Sequence, residues 1–312
     1  MRRPLYVTTA AVTLFTGCGS LGQLGTPPLG ARVASSWMSA GAKTHDLLYI
    51  SDISTNDVYV YSYPQGTLAG TLRGFQSPVR VCSDANGNVY ITNTHARQIL
   101  EYAHGGMKPI ATYDDKGFLP TDCSVDPTTG TLAVANTSAK RSSIGSIAIY
   151  KKGVTTPKIY HAANVVAYLF CAYDGAGNLY VNGLNSAYDT AFIEKPHGAK
   201  KFQPIALDHK LGGWGGVQWD GKYVAVGDGS STVYDFAIGG GKGKRVKTIH
   251  LTHAVNVVQF WLDGSTLAAP DGPDGARHDA GLWHYPQGGK PIKTIGSGVF
   301  ENPSGATVSR AR

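Results

Sequence analysis

Six short rows of this chain end in an acid, an amide or a glycine: Leu48–Asp52, Val89–Asn93, Leu132–Asn136, Leu179–Gly183, Tyr223–Asp228 and Leu267–Asp271. Asp52, Asn93, Asn136, Asp228 and Asp271 are oxygen donors of the kind a hard cation accepts. All five stand at one repeated position, however, and Asp and Asn there hydrogen-bond their own backbone at turns. The backbone role is the reading adopted. A second series, Asp84, Asp126, Asp174, Asp220 and Asp263, opens a turn in successive repeats. Asp84–Asn88 resembles the front of a calcium loop but lacks the downstream bidentate Glu, so it reads as a hairpin with Asn86-Gly87 at its tip.

Four residues before those turn aspartates the repetition breaks. The residues there are Arg80, Asp122, Phe170, Gly216 and Gln259. A site grafted onto a repetitive scaffold would show itself in this way. Arg80 and Asp122 fall in adjacent repeats, close enough to pair. They form either a semi-buried ion pair or, with Gln259, a polar floor for a ligand at the mouth of a central channel. Trp214 sits within Gly212–Gly216, and a ring among glycines at a strand start is accessible for stacking on sugars or aromatic ligands. Arg80, Asp122, Trp214 and Gln259 are the candidate binding residues.

No catalytic residue and no metal ligand is assigned. None of the ten histidines forms a His-x-His or His-x-x-x-His pair. The chain has no Gly-x-Ser-x-Gly elbow and no His-Glu-x-x-His helix. The polar stretch Asp271–Gly281, with Asp274, Arg277 and His278, is the longest insertion between second and third strands and reads as a solvated loop.

The elements that must position these residues are short strands. The six rows lie 41 to 47 residues apart, a period that belongs to β-propellers. Within residues 78–113, four strands follow one another: Pro78–Cys82, Val89–Thr92, Gln98–Tyr102 and Pro109–Tyr113. Tyr63–Gly66 and Tyr285–Gly288 carry the same Tyr-Pro-Gln-Gly turn. Further inner strands are expected near Pro120, Tyr168, Gly215, Asn256 and Pro303. The last has no second strand after it, and the first row has no inner strand before it. Pairing Asn302–Ser309 with Leu48–Asp52 closes the ring and removes its open edges. The expected fold is all-β: a six-bladed β-propeller with four-stranded antiparallel blades, one blade mixing the chain ends.

Over residues 45–309 these rows resemble the NHL and YVTN-type repeats of bacterial six-bladed, TolB-like propellers. The resemblance is specific for fold. It implies two kinds of function: non-catalytic binding of proteins, glycans or nucleic acid, and metal-dependent hydrolysis or elimination of the gluconolactonase and streptogramin-lyase kind, with the metal on the tunnel axis. Carboxylate and histidine sets for an axial metal cannot be assembled at matching repeat positions. The reading adopted is therefore a binding or scaffold propeller for a protein or glycan partner, without a cofactor. A divalent metal belongs to the alternative.

The N-terminus bears on location. Arg2 and Arg3 precede an apolar stretch from Leu5 to Phe15, and Leu14-Phe15-Thr16-Gly17-Cys18 resembles a lipobox, which implies lipidation of Cys18. Leu5–Thr16 is too short to span a bilayer, which takes ~20 apolar residues. Residues 1–17 are expected to be a lipoprotein signal, 18–42 a Gly/Ser/Pro tether and 43–312 the propeller. The protein is then exported and anchored to the cell envelope; in a Gram-negative host, Gly19 favours the outer membrane, facing the periplasm or the cell surface. Export argues against nucleic acid as a partner, despite a formal net charge of +7. A monomer is expected.

With Cys18 lipidated, three thiols remain. Cys123 and Cys171 each stand three residues before a turn aspartate and face the same way on successive blades, ~10 Å apart, too far to bond. Cys82 stands two before its aspartate and points oppositely, so only Cys82 could meet Cys123. Buried free thiols are the alternative.

Overall fold

Each of the six rows forms the second strand of a sheet, and these strands are buried along nearly their whole length. A strand buried on both faces requires covered sheets on either side. A computed structural model supplies them. It describes residues 35–140, 143–212, 214–272 and 277–312; the signal segment, Cys18, most of the expected tether and Asp274 lie outside these residues. Six sheets, each antiparallel through its four principal strands, form a six-bladed β-propeller.

Blade I joins the chain ends. Pro303–Ser309 is its inner strand and pairs with Leu47–Asp52, from Leu47 opposite Ser309 to Asp52 opposite Pro303. Asp57–Ser62 and Leu68–Leu72 follow outward. Blade II is Pro78–Ser83, Val89–Asn93, Gln98–Tyr102 and Pro109–Asp114. Blade III is Phe118–Val125, Leu132–Ser138, Ser146–Tyr150 and Lys158–Tyr160. Blade IV is Ala167–Tyr173, Leu179–Leu184, Thr190–Lys195 and Gln203–Pro204. Blade V is Val217–Trp219, Val224–Gly227, Thr232–Gly239 and Lys242–His250; blade VI is Trp261–Asp263, Thr266–Asp271, Asp279–His284 and Gly288–Ile295.

Three details differ from the sequence expectation. The ordered fold reaches back before residue 43: Trp37–Met38 adds a fifth strand to blade I, pairing with Gly70 and Thr71. Gly70 permits this, since a Cβ there would collide with the Met38 side chain. Ala206–Leu207 likewise adds a fifth, parallel strand to blade V. Finally, the inner strands of blades V and VI start at Val217 and Trp261 rather than near Gly215 and Asn256. Gly216 N–H bonds Val258 O of the next blade instead of continuing its own ladder.

Apolar clusters lie between blades. One runs from Leu47, Tyr49 and Val60 of blade I to Val81, Ile91 and Tyr102 of blade II; another joins Tyr90 and Ile99 of blade II to Val134 and Tyr150 of blade III. Cys82 and Cys123, on the inner strands of blades II and III, are bonded across this second interface, with Cα atoms 5.8 Å apart. Cys171 is free and buried. A cross-link 41 residues apart constrains the unfolded chain and contributes about 2–4 kcal/mol. The Cys82→Ala/Cys123→Ala variant is accordingly expected to melt about 5–10 °C lower than the wild type in a calorimetric scan. An unchanged Tm would show that the cross-link adds no stability.

Candidate functional site

The inner strands, with the residues that lead into those of blades V and VI, bring one residue from each blade to the axis, in ring order Gly305, Arg80, Asp122, Phe170, Gly216 and Gln259. Gly305, opposite Ser51, holds the place in blade I that Asp122, opposite Ala135, holds in blade III. Small residues are demanded at two places. A Cβ on Gly305 would stand 2.7 Å from Gln259 Oε1 and 2.8 Å from Arg80 Cα, and one on Gly216 would press on the Gln259 backbone.

Asp122 and Gln259 meet across the axis from opposite blades. Gln259 Nε2 donates to Asp122 Oδ1 at 2.6 Å and to Val81 O at 3.3 Å. Its Oε1 accepts from Ala306 N at 3.1 Å. Asp122 Oδ2 accepts from Cys171 N at 3.0 Å. These bonds link blades I, II, III, IV and VI. Asp122 and Gln259 are each 2% exposed and Arg80 8%.

Arg80 and Asp122 are neighbours without an ion pair between them. The Asp122 oxygens are occupied by Gln259 and the Cys171 amide, while the Arg80 guanidinium lies over the Phe170 ring, 5.4 Å from its centroid. Its Nη1 donates to Val79 O at 2.9 Å, and its Nε has no partner. Burial lowers the Arg80 pKa to about 10, against the pull of Asp122. Burial raises Asp122 to about 7, opposed by the Cys171 amide, Arg80, the Cys123 amide and Gln259. The structure thus gathers Arg80, Asp122 and Gln259, and it sets Trp214 apart in the loop before the inner strand of blade V.

Four of the five repeated acids and amides bond backbone, whereas Asn136 Nδ2 donates to Ser146 Oγ at 3.3 Å and its buried Oδ1 has no partner. Asp52 accepts from Ser54, Thr55, Glu301 and Asn302 amides. Asn93 accepts from Gln76 N, Asp228 from Ser230 and Thr232 amides, and Asp271 from Val255 and Asn256 amides. Asp84 and Asp174 each accept two amides of their own hairpin. Among the described residues no three His, Cys, Asp or Glu are grouped to hold a metal ion. Asp122 is the only carboxylate among the six axial residues.

Backbone conformation distinguishes the two faces. Asn56, Ser77, Arg97, Asn164, Tyr188, His253 and His278 have φ between 53° and 72°. Every one lies in a loop between second and third strands or between an outer strand and the next blade. Those loops share one face, as the bonds from Thr94 N to Ser77 O and His95 N to Gln76 O show. On the opposite face, turns reach positive φ with glycine, as at Gly87, Gly130, Gly177 and Gly264. A left-handed conformation strains a non-glycine residue, and such strain concentrates at functional surfaces. The same loop face exposes Tyr188 (79%), Trp214 (56%), Val255 and Ile144. Tyr188 escaped the sequence reading. Its signal was a lone aromatic in the polar stretch Asn185–Asp189.

No protein-family model matches the chain, and no curated protein matches it in sequence. Solved structures do. A chain of the crystal structure of a nidogen/laminin complex superposes with a TM-score of 0.69 at 15% identity, over 86% of this chain and 99% of that one. A protein of unknown function from Bacteroides caccae superposes with a TM-score of 0.63 at 10% identity, over 86% and 100%. At these identities the likeness is one of fold.

The axial acid has a measurable consequence, shared by two others. Burial raises Asp115 and Asp235 to about 6 and Asp122 to about 7. From about pH 4 up to these values the folded protein holds protons that the unfolded chain has released. Stability contributed by these groups is present at low pH and falls as pH rises through the folded values. Tm is expected to be higher at pH 5 than at pH 8, and Asp235→Asn, which keeps an acceptor for Tyr285, should reduce the decline. A pH series of melts checks both, and a Tm that rises across this range would contradict the assignment.

Proposed function

We propose that this protein is a non-catalytic, membrane-tethered envelope scaffold of the NHL/TolB-like kind, anchored by a lipid on Cys18, which engages a protein or glycan partner through its loop face. The observation that carries the reading is the concentration of left-handed non-glycine residues and exposed Tyr188 and Trp214 on that face. Arg80, Asp122 and Gln259 serve as its polar floor, holding the ring rigid beneath the contact surface. A rigid platform limits the ordering cost of association, and aromatic anchors supply most of the energy in such contacts. The superposable chain from a nidogen/laminin complex supports the reading as an instance of the fold within a protein assembly.

The experiment is photo-crosslinking in cells with a probe at position 214, compared with one at Lys244 in the outer strand of blade V. We expect a discrete crosslinked partner from position 214 only, lost in Tyr188→Ala with Tm unchanged, and release from the membrane fraction in Cys18→Ser. Equal crosslinking from both positions, or none from 214, would contradict the reading.

A further inference from the structure

A cleft of about 470 Å³ opens between blades II and III on the hairpin side of the ring, opposite the loop face. Its size falls in the range of small-molecule sites, and its walls are fixed by the Cys82–Cys123 cross-link within the same cluster. Glu101 lines it. This carboxylate is 8% exposed and draws its hydrogen bonds from tyrosines of its own blade, Tyr113 Oη at 2.7 Å and the neighbouring Tyr90 hydroxyl. Asp84 lies beside it, reached by Tyr90 Oη at 3.4 Å. Among the described residues Glu101 has no ion pair and no backbone amide donor, so tyrosine hydroxyls carry its hydrogen bonds.

The equivalent place between blades V and VI is filled differently, although the carboxylates of both places already accept tyrosine hydroxyls. Asp235, opposite Ala225, corresponds to Glu101, opposite Tyr90, and Asp220 corresponds to Asp84 at the hairpin. There the hydroxyl of Tyr285, from the following blade, sits 2.7 Å from Asp235 Oδ1 and 3.0 Å from Asp220 Oδ2. Tyr285 stands two residues past Trp283, just beyond the end of its strand. The matching residue of blade III, two past Tyr150, is Lys152, which is exposed. At this position of the following blade the gap between blades V and VI thus holds a hydroxyl-bearing ring, and the gap between blades II and III holds Lys152.

The geometry points to a saccharide site in the cleft between blades II and III, with a ligand hydroxyl donating to Glu101 and Asp84 where Tyr285 donates to their counterparts. Carboxylates and the lysines Lys151 and Lys152 line the cleft together, which disfavours a ligand of either net charge and suits a neutral polyol. The Thr128 and Thr129 hydroxyls, also at the cleft, donate to Asp126 at 2.7 and 2.6 Å, which leaves lone pairs that can accept from a sugar hydroxyl.

An array of neutral oligosaccharides, probed with the full-length wild type, Lys152→Tyr, Glu101→Gln and Trp214→Ala, tests this. Lys152→Tyr installs that ring at an exposed position, so its fold is retained even if Glu101→Gln perturbs packing. Wild type and Trp214→Ala are expected to bind a common set of neutral glycans, and both cleft variants to bind them at least about tenfold more weakly. Absence of any bound neutral glycan, or binding that Lys152→Tyr leaves intact, overturns the proposal. So does saturable binding of p-cresol by a wild type that takes no glycan, which would mark a phenol site. The loop-face reading stands or falls separately, through position 214.

Discussion

Six twisted sheets meeting on one axis must fill the space where their inner strands converge, and in this protein one contact across the axis does most of that work. Gln259 reaches Asp122 from the opposite side of the ring and also bonds the backbones of blades I and II, while Asp122 bonds the backbone of blade IV. The arrangement is shielded from water, where a hydrogen bond to a charged group is strong and an unmade one costly. Gly305 and Gly216 make room for it. A Cβ on Gly305 would collide with the Gln259 side chain, and one on Gly216 would crowd the Gln259 backbone at 3.2 Å, so the two glycines and the two polar residues form one constraint.

A filled axis leaves variation to the two faces of the ring. The two faces of the ring then divide the remaining tasks by the kind of turn each carries. On the hairpin side, turn aspartates hold tight glycine-tipped loops, which suits stability and leaves little surface to vary. On the loop side, Asn, Ser, Arg, Tyr and His residues accept left-handed backbone at a cost of roughly 1 kcal/mol or more each, and aromatic rings stand clear of the core. On the hairpin side, Lys152 of blade III stands where blade VI has the ring of Tyr285, and a cleft opens between blades II and III. Both features are local changes on a frame that the axial contact keeps fixed.

The blades were legible in the sequence because each second strand is buried on both faces and must be an apolar run, closed in five of the six by an Asp or Asn. Ring closure followed from counting inner and second strands. The outer fifth strands were not legible: Trp37–Met38 and Ala206–Leu207 are two residues long and carry no alternation. The inner-strand starts of blades V and VI were misplaced because Gly216 bonds the neighbouring blade, a choice set by tertiary packing. The broken repeat position did locate Arg80, Asp122 and Gln259, but their pairing was not readable. Gln259 and Asp122 are 137 residues apart, and the nearest charge to Asp122 along the ring, Arg80, is held by an aromatic ring instead. Glu101 was invisible as a candidate because its significance lies in Tyr285 having no counterpart at Lys152.

The axial contact is most directly tested by amide hydrogen exchange in Gln259→Leu. If that contact holds the ring together, protection falls at Ala306 and Cys171 and along the inner strands of blades I to IV at once, although the substitution lies in blade VI. A loss of protection confined to blade VI would contradict the account.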